Sequence, residues 1–247
     1  MIPVPETRPV ALWDLPVRLV HWSFVALIPA LWWTAEEGNI KLHVTLGLVM
    51  LGLVLFRLLW GLFGSSTARF SGFVRGPAAI REYLAGLRNG TGAPVIGHNP
   101  LGALSVIGLL GLLALQVGLG TVAQDTDAVA SGPMARFVSY EMASAAGQIH
   151  GVVFNVLLAL VALHIAAIVY YRFVKGENLV TPMLTGRKAL PVEAIPPRIA
   201  PLWRALVLAL VAAGVALWIA WGLPPWKSRW PWDQPPPPAG LSEESYM

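Results

Sequence analysis

Apolar residues in this chain gather in long unbroken runs, not in the alternation of a strand or the narrow stripe of a soluble helix. Five runs stand out, at roughly 17–33, 42–63, 100–122, 147–173 and 202–221. Each is close to the ~20 residues that an α-helix needs to cross a hydrocarbon core. Backbone in lipid must satisfy its own hydrogen bonds, which predicts helices. The two-residue alternation of a lipid-facing barrel strand is absent. The pattern therefore predicts an all-α integral membrane protein.

Polar positions sort the links between these runs. The link after the second run carries Arg69, Arg75, Arg81 and Arg88, with Arg57 near that end of the run itself. The link after the fourth carries Arg172, Lys175, Arg187, Lys188 and Arg198. The other two links are poorer in positive charge, with Glu36, Glu37 and Lys41 in one and Asp125, Asp127, Arg136 and Glu141 in the other. Lys and Arg concentrate on the cytoplasmic side of membrane proteins. The expectation is a cytoplasmic N-terminus and a C-terminus on the outer side of the membrane. The first run lacks a basic leader and a small-residue cleavage site, so it reads as a span and not as a signal peptide. Residues 76–88 have the pattern of a short amphipathic helix lying on the cytoplasmic surface. Asn99 followed by Pro100 predicts the start of the third span, because Asn caps helix N-termini and Pro fits the first turn.

Composition narrows the function classes. Charged residues make up only 12% of the 247 residues, and 56% are hydrophobic. Soluble domains average about 25% charged. The basic pI near 9.7 does not point to nucleic acid, since the basic residues segregate into alternate links. The chain has no cysteine. That excludes disulfides, thiolate-bound clusters and covalent haem attachment through Cys-x-x-Cys-His.

Four of the five histidines lie within the predicted spans: His21, His43, His150 and His164. Ionisable residues inside a membrane span are costly and mark functional sites by default. His150 and His164 are fourteen residues apart. That separation advances a helix by about 21 Å and returns it to within about 40° of the same face. The two histidines therefore share a face at different depths. His43 lies at the depth of His150, and His21 at the depth of His164. A facing pair of imidazoles from two helices can clamp a flat macrocycle through its iron, as helical bundles do with cofactors. Two such pairs predict two stacked haems, one near each leaflet. A single zinc centre fits poorly, because the layers are too far apart for one tetrahedral site.

Other residues are less specific. Gly47 and Gly151 would leave room beside His43 and His150, although Gly is also common where membrane helices pack closely. Arg57 lies fourteen residues after His43 on the same stripe. It suits the propionates of the inner haem, and equally suits an interfacial arginine that snorkels. His98, beside the Asn99 cap, reads as a surface or interface histidine, with a quinone or proton-transfer role as the minority reading. Terminal aromatics such as Trp32, Trp33, Trp60, Tyr170 and Tyr171 read as an interfacial belt.

Several stretches together carry a family resemblance: "WDLPVRLVHW" (13–22), "KLHVTLG" (41–47), "FRLLWGLFG" (56–64), "RFSGFVRGP" (69–77), "GHNPLG" (97–102) and the His150–His164 pair followed by "GENLVTPMLTGRK" (176–188). The sequence resembles the bacterial cytochrome b561 family of two-haem membrane b-type cytochromes, which includes the cytochrome b subunits of nickel–iron hydrogenases. The resemblance spans about residues 11–190. It implies a four-helix transmembrane bundle holding two non-covalent haems b, with His21 paired to His164 and His43 to His150 as axial ligands. The fifth span and the Pro/Trp-rich tail have no counterpart in that pattern. The expected organisation is a cytoplasmic N-terminus (1–16), a haem-binding membrane domain (17–190), a linker with the fifth span (191–222) and an external tail (223–247).

Bis-histidine ligation fills both axial positions and favours electron transfer over oxygen chemistry. The expected function is transmembrane electron transfer between the quinone pool and an external redox partner, such as a c-type cytochrome or an oxidoreductase subunit. No separate catalytic residue is assigned. Lipid, quinone or quinol and a second copy in a homodimer complete the set of expected partners. The runner-up is the membrane anchor and cytochrome b subunit of a nickel–iron hydrogenase or similar periplasmic oxidoreductase. A self-contained quinol oxidase making superoxide belongs to the same class. A haem-free, His-dependent transporter belongs to another class and would need a polar path between the layers, with Asn155 as its main candidate. Four depth-matched histidines argue against a purely structural anchor.

Overall fold

The fold follows from where helices can start and stop. A computed structural model describes residues 6–89, 96–125 and 130–221. In chain order these form strand β1 (Thr7–Ala11) and helices α1 (Leu15–Glu36), α2 (Ile40–Phe63), α3 (Phe70–Phe73), α4 (Pro77–Asn89) and α5 (Pro100–Val122). A 3-10 turn (Ala135–Phe137), α6 (Tyr140–Phe173), α7 (Val180–Thr185), strand β2 (Arg187–Pro191) and α8 (Leu202–Ala220) follow. Among the described residues, α1, α2, α5, α6 and α8 are the five helices long and apolar enough to cross a membrane. The tail at 223–247 lies outside the described residues.

Four of these spans carry side-chain caps, which satisfy backbone N–H groups the first turn leaves unpaired. Asp14 Oδ1 accepts from Val17 N (2.8 Å), Asn39 from Leu42 N (3.2 Å), Asn99 from Gly102 N (2.8 Å) and Ser139 from Met142 N (3.3 Å). Between α1 and α2, Gly38 adopts φ +67°, a left-handed conformation open to glycine at little cost. Asn39 N then donates back to Thr34 O at 2.9 Å, which closes a tight antiparallel turn.

Two apolar clusters hold the bundle. One gathers Leu12, Trp13, Val17, Val20, Phe56, Trp60, Ala68 and Ala212 at the end where α1 starts. The second lies deeper and joins Met50 and Val54 of α2 to Leu110 and Leu113 of α5 and Leu157 of α6.

The small sheet is an addition to the all-helical expectation. β1 pairs antiparallel with β2, from Thr7 opposite Pro191 to Ala11 opposite Arg187. Gly186, at φ +80°, caps α7, and its carbonyl accepts from both Leu12 N and Trp13 N. Arg18 of α1 donates to the carbonyls of Met183 and Leu184, and Trp22 Nε1 donates to Met183 O. The segment leaving α6 is thus fastened to the start of α1. We call this the ribbon end of the bundle.

The fifth span docks on α2. Ala212 and Ala216 of α8 are buried, and a Cβ added at Gly52 of α2 would meet the Ala216 methyl at 3.6 Å. Small residues let membrane helices approach closely. The linker before α8 is pinned as well, by Ser66 N to Arg198 O (3.0 Å), Ala200 N to Ser65 Oγ (2.8 Å) and Arg204 Nη1 to Phe63 O (3.0 Å).

Candidate functional site

The antiparallel run of α1, α2, α5 and α6 sets the depth of each histidine. His21 and His164 sit in the ribbon-end half, and His43 and His150 in the opposite half.

The opposite half has the clearer geometry. The rings of His43 and His150 face each other with centroids 6.3 Å apart and planes at 77°. His43 Nδ1 lies 2.9 Å from Leu31 O, and His150 Nδ1 lies 3.0 Å from Gln116 O. A carbonyl only accepts, so both Nδ1 atoms carry the proton and both Nε2 atoms present a lone pair. Fixing a ligand histidine through its far nitrogen is how proteins orient imidazoles toward a metal.

Between the rings lies a cavity of ≈ 300 Å³, the lower end of the range for cofactor sites. Its walls include Leu31, Leu113, Val117, Phe154 and Leu157, with Glu36 and Thr121 also contributing. Gly47 and Gly151 line it, and a Cβ at either would meet nothing within 4 Å. Gly120 is tighter, since its Cβ would come 3.1 Å from His150 Cε1. Gln116 is buried with Oε1 unpartnered in a mostly apolar wall.

A flat iron macrocycle fits this site. Imidazole nitrogens bind a metal at about 2.0–2.1 Å, and adding about 1 Å to each ring centre separates two axial rings by about 6 Å. The 6.3 Å between His43 and His150 matches that span. Among the described residues no group of three or more His, Cys, Asp or Glu gathers to hold a bare ion. Two facing imidazoles suffice only where a macrocycle supplies the remaining ligands.

At the ribbon end, His21 and His164 lie within electrostatic reach of each other. His164 Nδ1 is 3.2 Å from Ser105 Oγ. His21 Nδ1 is buried without a partner. Its ring packs edge-on against Trp22, with centroids 5.2 Å apart.

Two expectations change here. Arg57 does not snorkel to the surface. It is 7% exposed, its Nη1 donates to Ala68 O at 3.4 Å, and its guanidinium lies 5.5 Å from the Phe70 ring centre. His98 is half-buried and not a free surface residue. Its ring packs against Trp13 and Phe73, each with centroids 4.6 Å away, and its Nδ1 is shut off from solvent. Burial, then the fields of Arg57 and His164, push His98 down to about 4.

Sequence reasoning missed Asp14 as an individual residue. Its Oδ2 accepts from Trp60 Nε1 at 2.9 Å while Oδ1 caps α1, so one buried carboxylate ties α1 to α2 seven residues below His21. The signal was present, as Asp14 stands two residues before Pro16, close to the Asn99–Pro100 pattern. Trp60 is accordingly buried and not part of an interfacial belt.

The amphipathic α4 is fastened over this end. Tyr83 OH lies 2.7 Å from Tyr171 OH, which also accepts from Asn99 Nδ2 at 3.0 Å. Burial, and then the bond to Tyr171, raises the Tyr83 pKa above the usual phenol value. Asn155 makes no bridge between the histidine layers. Its Nδ2 donates to Gly151 O one turn back on its own helix, and the residue is exposed. The cluster of Met50, Val54, Leu110, Leu113 and Leu157 lies between the layers instead.

A family model described as prokaryotic cytochrome b561 matches residues 12–186, well over half of the chain. No curated protein and no solved structure matches. The matched span includes Asp14, all five histidines and Arg57, and it ends before α8. Together with five helices long and apolar enough to cross a membrane, this match shows that the chain belongs to the prokaryotic cytochrome b561 family and is a multi-pass membrane b-type cytochrome of electron transfer.

Proposed function

We propose that this chain holds two haems b, one between His43 and His150 and one between His21 and His164, and moves electrons across a bacterial inner membrane. The exchange partners are the quinone pool and an external redox protein such as a c-type cytochrome. The observation that carries the reading is the His43–His150 pair, at 6.3 Å across an apolar cavity with both Nδ1 atoms tied to backbone carbonyls.

Haem b, when bound, supplies a reversible one-electron couple at its iron. The chain's residues do the rest. The carbonyls of Leu31 and Gln116 fix the tautomers of His43 and His150, so their Nε2 atoms stay aimed inward. Ser105 Oγ holds the His164 ring from Nδ1, as a hydroxyl that can either donate or accept. Two histidines per site leave no open axial position, which directs the site to electron transfer and away from oxygen binding. The apolar wall around Leu113 and Leu157 excludes water. Distribution of Lys and Arg supports a cytoplasmic ribbon end.

Pyridine haemochrome analysis of the purified full chain tests the haem count, with two haems b per chain expected. One haem, or none in a folded protein, would refute the reading. Addition of a quinol to the oxidised protein should produce the reduced b-type spectrum, and a quinol that leaves the spectrum unchanged removes the quinone from the proposal.

A further inference from the structure

Two buried donors at the ribbon end have no partner suited to their chemistry. The first is Arg57. Its contacts are one long bond to Ala68 O and the face of Phe70. Among the described residues it forms no direct ion pair, and a buried cation is costly unless it is closely paired. The Asp14 carboxylate acts on it only through its field, since its oxygens accept from Val17 N and Trp60 Nε1 and make no bond to the guanidinium.

The second donor is His98. Trp13 and Phe73 both pack against its ring, each tilted by about 50° at 4.6 Å between centroids, and restrict its orientation. Its Nδ1 is buried and unpartnered. His98 directly precedes the Asn99 cap, so the N-terminus of the 23-residue α5 adds a positive field beside it. Arg57 and His164 act on it electrostatically. With its pKa pushed to about 4 the imidazole is neutral near pH 7, and it has one N–H to give.

A carboxylate answers both groups. It supplies the directly bonded anion that Arg57 lacks and an acceptor for the imidazole N–H, and charge-assisted bonds of this kind are the strong ones. A quinone carbonyl would accept hydrogen bonds yet leave the guanidinium charge uncompensated. Haem b carries two carboxylates on its propionates. We propose that Arg57 and His98 form a carboxylate site that holds a propionate of the haem ligated by His21 and His164. This rests on the two-haem reading above. The pairing neutralises a propionate beside that iron and so stabilises the reduced state. Among the residues lining the cavity between His43 and His150 there is no Lys or Arg, and the charged side chain there is Glu36.

The test is a spectroelectrochemical titration of the holoprotein. The ribbon-end haem is identified as the one retained in His150→Ala. In Arg57→Gln and in His98→Phe, which keeps an aromatic ring against Trp13 and Phe73, its reduction equilibrium constant should fall about tenfold. That corresponds to about 59 mV for one electron. The other haem should stay where it is, and Arg57→Lys should recover part of the shift. Unchanged potentials in both variants overturn the site. So does a loss of quinol-driven reduction rate at unchanged potential, which would assign the two donors to the quinone instead. Failure of the underlying reading looks different, as the unmutated chain would then lack its second haem.

Discussion

His43 and His150, 107 residues apart in sequence, meet with ring centroids 6.3 Å apart while each donates from Nδ1 to a backbone carbonyl. If both rings hold one haem, as proposed, they fail together. His43→Ala and His150→Ala should each lose the same haem, and the double variant should lose no more than either single one, the non-additivity of residues acting as a unit. His21→Ala should lose the other. Haem stoichiometry of the four proteins checks this.

Gly120 bears on that pair from α5. A Cβ there would lie 3.1 Å from His150 Cε1, tighter than ordinary contact. Gly120→Ala should tilt the imidazole and shift the low-temperature spectrum of one haem. Its stability cost should be about 1 kcal/mol or somewhat more, as for modest overpacking. Gly111→Ala, whose Cβ meets nothing within 4 Å, is the control and should be spectrally silent.

The Asp14–Trp60 bond carries a separate prediction. Trp60→Phe leaves the buried Oδ2 without its donor, a loss of about 1–3 kcal/mol. Asp14→Ala removes that bond and the α1 cap together, the cap alone being worth about 1 kcal/mol. Thermal melts in detergent should therefore rank the wild type above Trp60→Phe, and Trp60→Phe above Asp14→Ala.

The lowered pKa of His98 fixes a pH window. Folding holds this base near 4 instead of 6.5, so the unfolded chain binds more protons between those values. Stability is full above about 6.5, falls as pH drops toward 4, and levels below it. In haem-depleted protein the melting temperature should decline through this window, and His98→Phe should flatten the decline. A carboxylate beside the imidazole raises its pKa, so the loaded protein should show the shallower slope.

The fifth span should be separable from the cofactor sites. Ala212 is 2% exposed against α2, and Gly52 faces Ala216. Ala212→Leu overpacks this seam and should cost about 1–3 kcal/mol. No residue of α8 lines the His43–His150 cavity. The variant should melt earlier yet keep its full haem content, and loss of haem would contradict the separation.

The spans were legible because burial in lipid imposes a length and a composition on every residue of a run. The depth and shared face of His150 and His164 followed from helix geometry alone. The first seven residues of α6 were not legible by hydropathy, since "YEMASAA" extends the helix past its apolar core, and only the Ser139 cap marks the true start. The β1–β2 pair joins two five-residue segments 176 residues apart that carry no alternating pattern. His98 looked exposed because loops usually are. Its partial burial comes with Trp13 and Phe73, contacts that no local pattern encodes.

The ribbon also fixes an order of events during synthesis. β1 leaves the ribosome well before its partner β2, which ends at Pro191, after His164 has been made and α6 completed. Until then the backbone of Thr7–Ala11 has no mate, and Gly186 is not there to receive Leu12 and Trp13. The clasp can close only on a chain that already owns all four membrane histidines. Biogenesis of the cofactor sites and closure of the ribbon are therefore coupled by the linear order of translation.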